Sequence, residues 1–377
     1  MSSNLNQERI AAAKRIVVKI GSILLVDGDT GRLHRDWLES LGKDIAAWRA
    51  RGQEIILVSS GAIALGRRYL GLKQGELCLE EKQAAAAAGM VRLSHAYQET
   101  LGEHDLNVAQ ILLTLDDSEN RRRYLNARST INTLLDVGAV PLINENDTVA
   151  TDEIRFGDND RLAARVAVMV SADLLLLLSD IDGLYTVDPA EDKNAVLVPE
   201  ITEITPEIEA MAGKAVASDS SGGMPTKLAA AKQCLSAGCQ MVICEGRTTS
   251  PLSALEQGAN CSWFVPSGNP QTARKRWIAG SLQPVGTIII DDGATNALGK
   301  GKSLLPAGVS AIEGSFERGD AVAVKSSDGT EIARGLCAYS SGDAKRIMGH
   351  KTDEIEGLLG YRGRDEMIHR DDLVITQ

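Results

Sequence analysis

The chain has 377 residues, of which 44% are hydrophobic and 24% charged, and a formal net charge of −11. That length exceeds one ordinary core and calls for about two domains, while the composition is that of a soluble globular protein. No apolar run approaches the ~20 residues of a membrane span, the polar start Met1 to Arg9 is not a signal peptide, and the negative balance disfavours broad contact with nucleic acid or anionic lipid. A cytoplasmic protein with no membrane partner is expected.

In chain order, the first two-thirds alternates strand and helix. Arg15 to Ile20 is a β-branched strand ending in Gly21-Ser22. Leu38, Leu41, Ile45 and Trp48 follow at helical spacing, and Gly52 stops that helix. Glu54 to Val58 is a second strand, and Glu80 to His104 a long Ala-rich helix whose Ala84 to Ala88 run suits close packing. Val108 to Leu113 is a strand, Tyr124 to Leu135 a helix, and Val140 to Ile143 a strand. Leu174 to Leu178 is continuously apolar, as in a strand buried on both faces. A helix over Thr226 to Ala237 and a last strand at Met241 to Cys244 complete a parallel sheet covered on both sides.

Composition shifts near residue 265. Pro266, Gly268, Pro270 and the run Arg274-Lys275-Arg276 suggest a linker over 266–284. Short strands follow at Thr287 to Ile290, Ala321 to Lys325 and Ile332 to Cys337, with Gly-rich turns. The expected organisation is a catalytic domain over 1–265 and a small, mostly β domain over 285–377.

Four strand-end loops carry small, hydroxyl-bearing or Gly-rich residues with a lone lysine or carboxylate, and ligands of α/β proteins sit at such ends. In Lys19-Ile20-Gly21-Ser22, glycine lets backbone approach a phosphate and Lys19 supplies charge. Ser59-Ser60-Gly61-Ala62 offers hydroxyls and amides to a carboxylate or phosphate, or merely caps a helix. From Asn144 to Asp160 six acids (Glu145, Asp147, Asp152, Glu153, Asp158, Asp160) face one base, Arg155. Such a loop suits an ammonium group or a cation; a helix-capping surface loop is the plainer alternative. Ser221-Gly222-Gly223-Met224-Pro225-Thr226-Lys227 exposes amides, a hydroxyl and a lysine one position into a helix. It suits nucleotide phosphates without the P-loop spacing.

Gly-x-Gly-x-x-Gly is absent, which argues against the usual dinucleotide site. Gly299-Lys300-Gly301-Lys302-Ser303 imitates a P-loop end, but Asn296 stands where its first glycine belongs, so it reads as a turn. Cys234, Cys239 and Cys244 fall on a helix, a turn and a strand without Cys-x-x-Cys, so buried thiols are expected rather than zinc. The five histidines lie outside all four loops. Two lysines and no Ser-His-Asp pattern point to phosphoryl transfer, which needs positioning and charge neutralisation.

Lys19-Ile20-Gly21-Ser22, Ser59-Ser60-Gly61-Ala62-Ile63-Ala64, Asn144-Glu145-Asn146-Asp147, Gly157-Asp158-Asn159-Asp160 and Gly222-Gly223-Met224-x-Thr226-Lys227 occur in that order. Together they resemble the glutamate 5-kinases of the amino acid kinase superfamily. The tail resembles their PUA domain, with Arg276-Trp277-Ile278 near the junction. The resemblance implies an α/β three-layer sandwich with a mainly parallel central sheet, plus a PUA domain. It implies ATP- and magnesium-dependent phosphorylation of the glutamate side-chain carboxylate, the first step of proline biosynthesis, with feedback inhibition by proline. It also implies a homodimer or tetramer and hand-off to a glutamyl phosphate reductase.

Carried over by residue, Lys19 and Lys227 neutralise the transferring phosphoryl group and Asp160 orients them or the magnesium-bound phosphates. Ser60, Asp147 and Asn159 bind glutamate, and Asp158 supports that loop. Lys19, Ser179, Asp180 and the segment Ser221, Gly222, Gly223, Met224, Pro225, Thr226 and Lys227 hold ATP. Two departures are Ile23, where many members carry a hydroxyl, and Pro225, which removes an amide. The alternatives are an N-acetylglutamate or aspartate kinase of the same fold, and an RNA-binding PUA protein. From Val285 to Gln377 there are 11 basic and 15 acidic residues, and Phe316, Tyr339 and Tyr361 are the only aromatic rings. Both facts disfavour an RNA platform.

Overall fold

β1 (Arg15–Ile20) lies at the centre of an eight-stranded sheet because it is buried along nearly its whole length. The computed structural model describes residues 2–28, 30–73, 75–149, 159–213, 223–268 and 284–376. These divide into two compact units, Met1–Pro270 and Gln271–Gln377.

In the first unit β1 pairs in parallel with β2 (Glu54–Ser59) on one side. Outward from β2 lie β4 (Val140–Glu145) and the edge strand β3 (Val108–Leu113). On its other side β1 meets β5 (Leu174–Ser179), followed by β7 (Gln240–Glu245), β8 (Cys261–Phe264) and the two-residue β6 (Glu200–Ile201). The chain therefore builds one flank with β2 to β4 and then crosses to the other flank at β5. Reversals of this kind leave a crevice beyond the carboxyl ends of the central strands.

Among the described residues eleven helices surround this sheet: α1 (Ser2–Ala12), α2 (Ser22–Leu25), α3 (Arg35–Ala50), α4 (Ala62–Tyr69), α5 (Leu79–Gly102) and α6 (Leu115–Glu119), then α7 (Arg121–Asp136), α8 (Asn159–Met169), α9 (Pro206–Met211), α10 (Met224–Ser236) and α11 (Pro251–Glu256). The period-two alternation of strands sorts β1 between two cores. Ile16, Val18 and Ile20 join α1, α3, α4, α5 and α11, while Val17 joins α7, α8 and α10. Two helical layers with a sheet between them form the expected three-layer α/β sandwich. Lys19 shares the parity of Val17 and so belongs to the α8 and α10 side. Helices α4 and α5 meet backbone to backbone: a Cβ on Gly66 would lie 1.7 Å from the Ala85 carbonyl oxygen, and one on Gly89 1.7 Å from that of Ala62. The Ala84 to Ala88 run supplies the small side chains such an approach needs, and it fixes where α4 begins.

Two expectations change. Met241 to Cys244 is not the last strand, since β8 follows it antiparallel to β7 and β6 pairs with β8. These strands are four and two residues long, too short for a clear alternation. Lys227 is the fourth residue of α10 rather than one position in. Pro225 starts that helix from inside its first turn, where a missing amide breaks no intrahelical bond.

The second unit is a five-stranded sheet ordered β10 (Val309–Gly314), β9 (Gly286–Ile290), β11 (Ala321–Ser326), β12 (Glu331–Leu336) and β13 (Leu373–Ile375). Its own core includes Ile288, Phe316, Val322, Val324, Tyr339 and Ile368. Lys300 and Gly301 follow the C-terminal end of the helix Asp292–Gly299, and Gly301 has φ +72°. That is a turn at the wrong end of a helix for phosphate, as expected. Among the described residues no helix is long and apolar enough to cross a membrane.

Candidate active site

Lys19 leaves β1 one residue before its carboxyl end, on the face covered by α8 and α10. Its Nζ lies 2.6 Å from Oδ1 of Asp160, the second residue of α8. Lys227, in the first turns of α10, donates its Nζ to Asp160 Oδ2 at 3.1 Å. All three are buried, Asp160 completely. Burial acts to raise the Asp160 carboxyl, but the charges and hydrogen bonds of Lys19 and Lys227 outweigh it and hold the group below the ordinary carboxylate range. Two ammonium groups around one carboxylate carry a net charge of about +1 in a low-dielectric place, which suits an arriving anion.

Beside this triad the carboxyl ends of β2 and β4 form a second cluster. Asn144, from the end of β4, donates its Nδ2 to the Ser59 carbonyl at 2.6 Å. Asn159, the first residue of α8, donates to the same carbonyl at 2.9 Å and to Ser60 Oγ at 2.8 Å. Gly61 then turns the chain at φ +101° into α4, a conformation that disfavours a side chain, and a Cβ there would crowd Val26 at 3.2 Å. Asp147 is half-buried just past β4, and among the described residues no donor or cation pairs with it. Burial alone pushes its carboxyl up to about 6. The Asn144 Oδ1 atom is likewise buried without a partner among the described residues. Unpaired acceptors of this kind suit an ammonium group.

On the other flank of β1, Ser179 ends β5 and its hydroxyl donates to Asp180 at 3.2 Å. Arg247, just past β7, lies 3.7 Å from the Asp180 carboxylate. Gly223 caps α10, and Thr226 Oγ1 donates back to its carbonyl at 2.8 Å. A helix N-terminus of this kind presents free amides to an anion.

The fold thus gathers Lys19, Asp160 and Lys227 into one group and Ser60, Asn159 and Asp147 into the strand ends beside it. Ser179, Asp180, Gly223, Met224, Pro225 and Thr226 lie at the strand and helix ends of the β5 flank. Asp158, Ser221 and Gly222 lie outside the described residues, as do Asp152, Glu153 and Arg155 of the acidic loop. Ile23 is exposed, on α2.

The pattern of the amino acid kinase family matches residues 14–245, and that of the PUA domain matches residues 286–359. The chain belongs to the amino acid kinase family. Relatives named glutamate 5-kinase include one from Paramagnetospirillum magneticum, 63% identical over 97% of this chain and 99% of that one. One from Agrobacterium fabrum is 59% identical over 99% of this chain and 96% of its own. Another from Rhodospirillum rubrum is 58% identical over 95% and 96%.

For an amino acid kinase, three residues at the site carry no role in the sequence reading. Asn144 lies within a quoted motif but had no assigned partner. Arg247 follows a strand the sequence does reveal, yet nothing local ties it to Asp180. Ser59 lies in a loop read as offering hydroxyls to a ligand, but it is given no role of its own. Five of the six cysteines are buried and only Cys78 is exposed. Among the described residues no group of three or more His, Cys, Asp or Glu is placed to hold a metal ion.

Proposed function

We propose that the chain is a glutamate 5-kinase, transferring the γ-phosphoryl group of ATP to the side-chain carboxylate of L-glutamate. The observation that carries this reading is the pairing of a buried Lys19–Asp160–Lys227 triad with a half-buried Asp147 that has no partner among the described residues. The first is built for a phosphoryl group and the second for an amino acid's ammonium. The glutamate carboxylate is ionised at neutral pH and needs no general base. Its oxygen attacks the γ-phosphorus as the bond to the β–γ bridging oxygen breaks, leaving ADP and an acyl phosphate. Two anions must meet, and Lys19 and Lys227 lower that repulsion while Asp160 keeps both ammonium groups aligned.

Ser60 and Asn159 hold glutamate, Asp147 receives its ammonium, and Asp158 supports the loop. Ser179, Asp180 and the segment from Ser221 to Lys227 hold the nucleotide. Magnesium would be held by the nucleotide's phosphate oxygens and water, the hard oxygen shell it favours, and when bound it supplies further charge neutralisation. Asp147 would also explain a preference for the free amino acid over N-acetylglutamate, whose nitrogen carries no charge.

In this reading the product feeds proline formation in the cytoplasm, proline inhibits the enzyme, and a glutamyl phosphate reductase receives the labile product. The catalytic domain spans 1–265, with a linker over 266–284. The PUA domain at 285–377 serves regulation or assembly of a dimer or tetramer rather than RNA binding. Deleting residues beyond about 280 then leaves turnover measurable while altering inhibition or assembly. The direct test is ATP consumption with glutamate, N-acetylglutamate and aspartate in parallel, with hydroxylamine trapping any acyl phosphate. Glutamate-dependent hydroxamate is expected; its absence overturns the proposal.

A further inference from the structure

The glutamate-side cluster is tied to a residue in the core on the other face of the sheet. Ser59 and Ser60 are consecutive, so their side chains leave the strand end on opposite faces. Ser60 faces α8, where Asn159 meets its hydroxyl. Ser59 shares the parity of Ile55 and Leu57 and faces the α5 core. There its fully buried hydroxyl lies 3.0 Å from that of Tyr97, itself fully buried on α5. Ser59 Oγ also lies 3.2 Å from the Ser60 carbonyl, to which it donates. A serine hydroxyl has one proton, so Tyr97 is left to donate to Ser59. The result is a directed chain from Tyr97 through Ser59 to the Ser60 carbonyl, while the Ser59 carbonyl is held by Asn144 and Asn159. Both carbonyls of the turn that presents Ser60 are therefore fixed by side chains, immediately before the left-handed Gly61.

We propose that Tyr97, acting through Ser59, is a positioning residue for the amino-acid subsite: it sets the orientation of the Ser59–Ser60 turn and hence of Ser60 and Asn159. The inference rests on the glutamate kinase reading above. Tyr97 touches neither lysine, so its influence falls on acceptor binding rather than on the phosphoryl side. A core aromatic kept only for its bulk would need no hydroxyl in this place. A buried hydroxyl without a partner is costly, so the pair works as a unit.

The test is steady-state kinetics of the full chain as wild type, Tyr97→Phe, Ser59→Ala and the double variant, with glutamate and ATP varied separately and a thermal melt for each. The single variants are expected to raise the glutamate KM about three- to tenfold, with kcat and the ATP KM within about twofold. The double variant removes both buried hydroxyls, so its melting temperature returns toward wild type while its glutamate KM stays raised, no higher than about that of the worse single variant. That separation of KM from stability is what a purely structural bond does not produce. Unchanged glutamate KM in all three variants, with only the melting temperature moving, overturns the inference while leaving the kinase reading intact. Wild-type protein that gives no glutamate-dependent turnover overturns both.

Discussion

Asp160 and Asp147 lie only thirteen residues apart, yet the fold treats them oppositely. Asp160 is completely buried between Lys19 and Lys227 and is held ionised. Asp147 is only half-buried but has no partner among the described residues, and its carboxyl is pushed up to about 6. Burial raises both groups; what separates them is whether the protein supplies its own counter-charge. Where it does, the carboxylate is a fixed part that arranges other groups. Where none is found among the described residues, as at Asp147, the proposed function assigns the counter-charge to the substrate's ammonium. In the proposed function the same contrast maps onto the sheet, with the phosphoryl side at β1, α8 and α10 and the acceptor side at β2 and β4.

Breaking the closed side should have the largest consequences. Lys19→Met and Lys227→Met are each expected to lower kcat at least about a hundredfold, because charge that meets the developing transition state is lost. Circular dichroism should stay near that of wild type, since the aliphatic stem is kept. Loss of folded signal in both would assign the lysines to structure instead. Asp160→Asn leaves two buried ammonium groups facing a neutral amide, with an expected stability loss of about 3–5 kcal/mol in urea unfolding.

The open side should respond more gently and with different parameters. Ser60→Ala and Asn159→Ala are expected to raise the glutamate KM about tenfold, with the ATP KM nearly constant; an equal rise in both would place these residues outside the acceptor subsite. The smallest effect concerns stability. Because the folded protein holds the Asp147 proton more tightly than the unfolded chain does, that group is neutral at no cost below about pH 4. Its contribution to stability falls as pH rises through about 6 and is level above that. Asp147→Asn should therefore be about 1–2 kcal/mol more stable than wild type at neutral pH, with the two converging below about pH 4. Equal unfolding curves at neutral pH would mean that Asp147 is not strained by its surroundings.

Much of this was legible in the residues. The strands β1, β2, β4 and β5 follow from apolar runs that end at small polar residues, and those ends are where the site lies. The triad partners lie in the loops that the residues single out, but their roles come from the resemblance, because a lysine at a strand end or a carboxylate at a helix start serves equally well for solvent contact or capping. What the one-dimensional pattern does not show is convergence. Lys19 and Lys227 are far apart in the chain and meet Asp160 only because alternation along β1 turns Lys19 toward α8 and α10. Tyr97 gives no signal at all, since a tyrosine in a buried helix looks like any core aromatic. Strands β6 and β8 escape because two and four residues are too few to display a period.

The account's central claim is that Asp147, which has no partner among the described residues, pairs with the substrate's ammonium. The glutamate KM of wild type and Asp147→Asn, measured from about pH 5 to about pH 8, tests this most directly. An ionised Asp147 is required for binding, so the wild-type KM should fall as pH rises through about 6 and then level off. In Asp147→Asn the KM should be at least about tenfold higher at neutral pH and should lack that inflection, with kcat retained. A variant whose KM and pH profile match those of wild type would contradict the division of labour between the two aspartates.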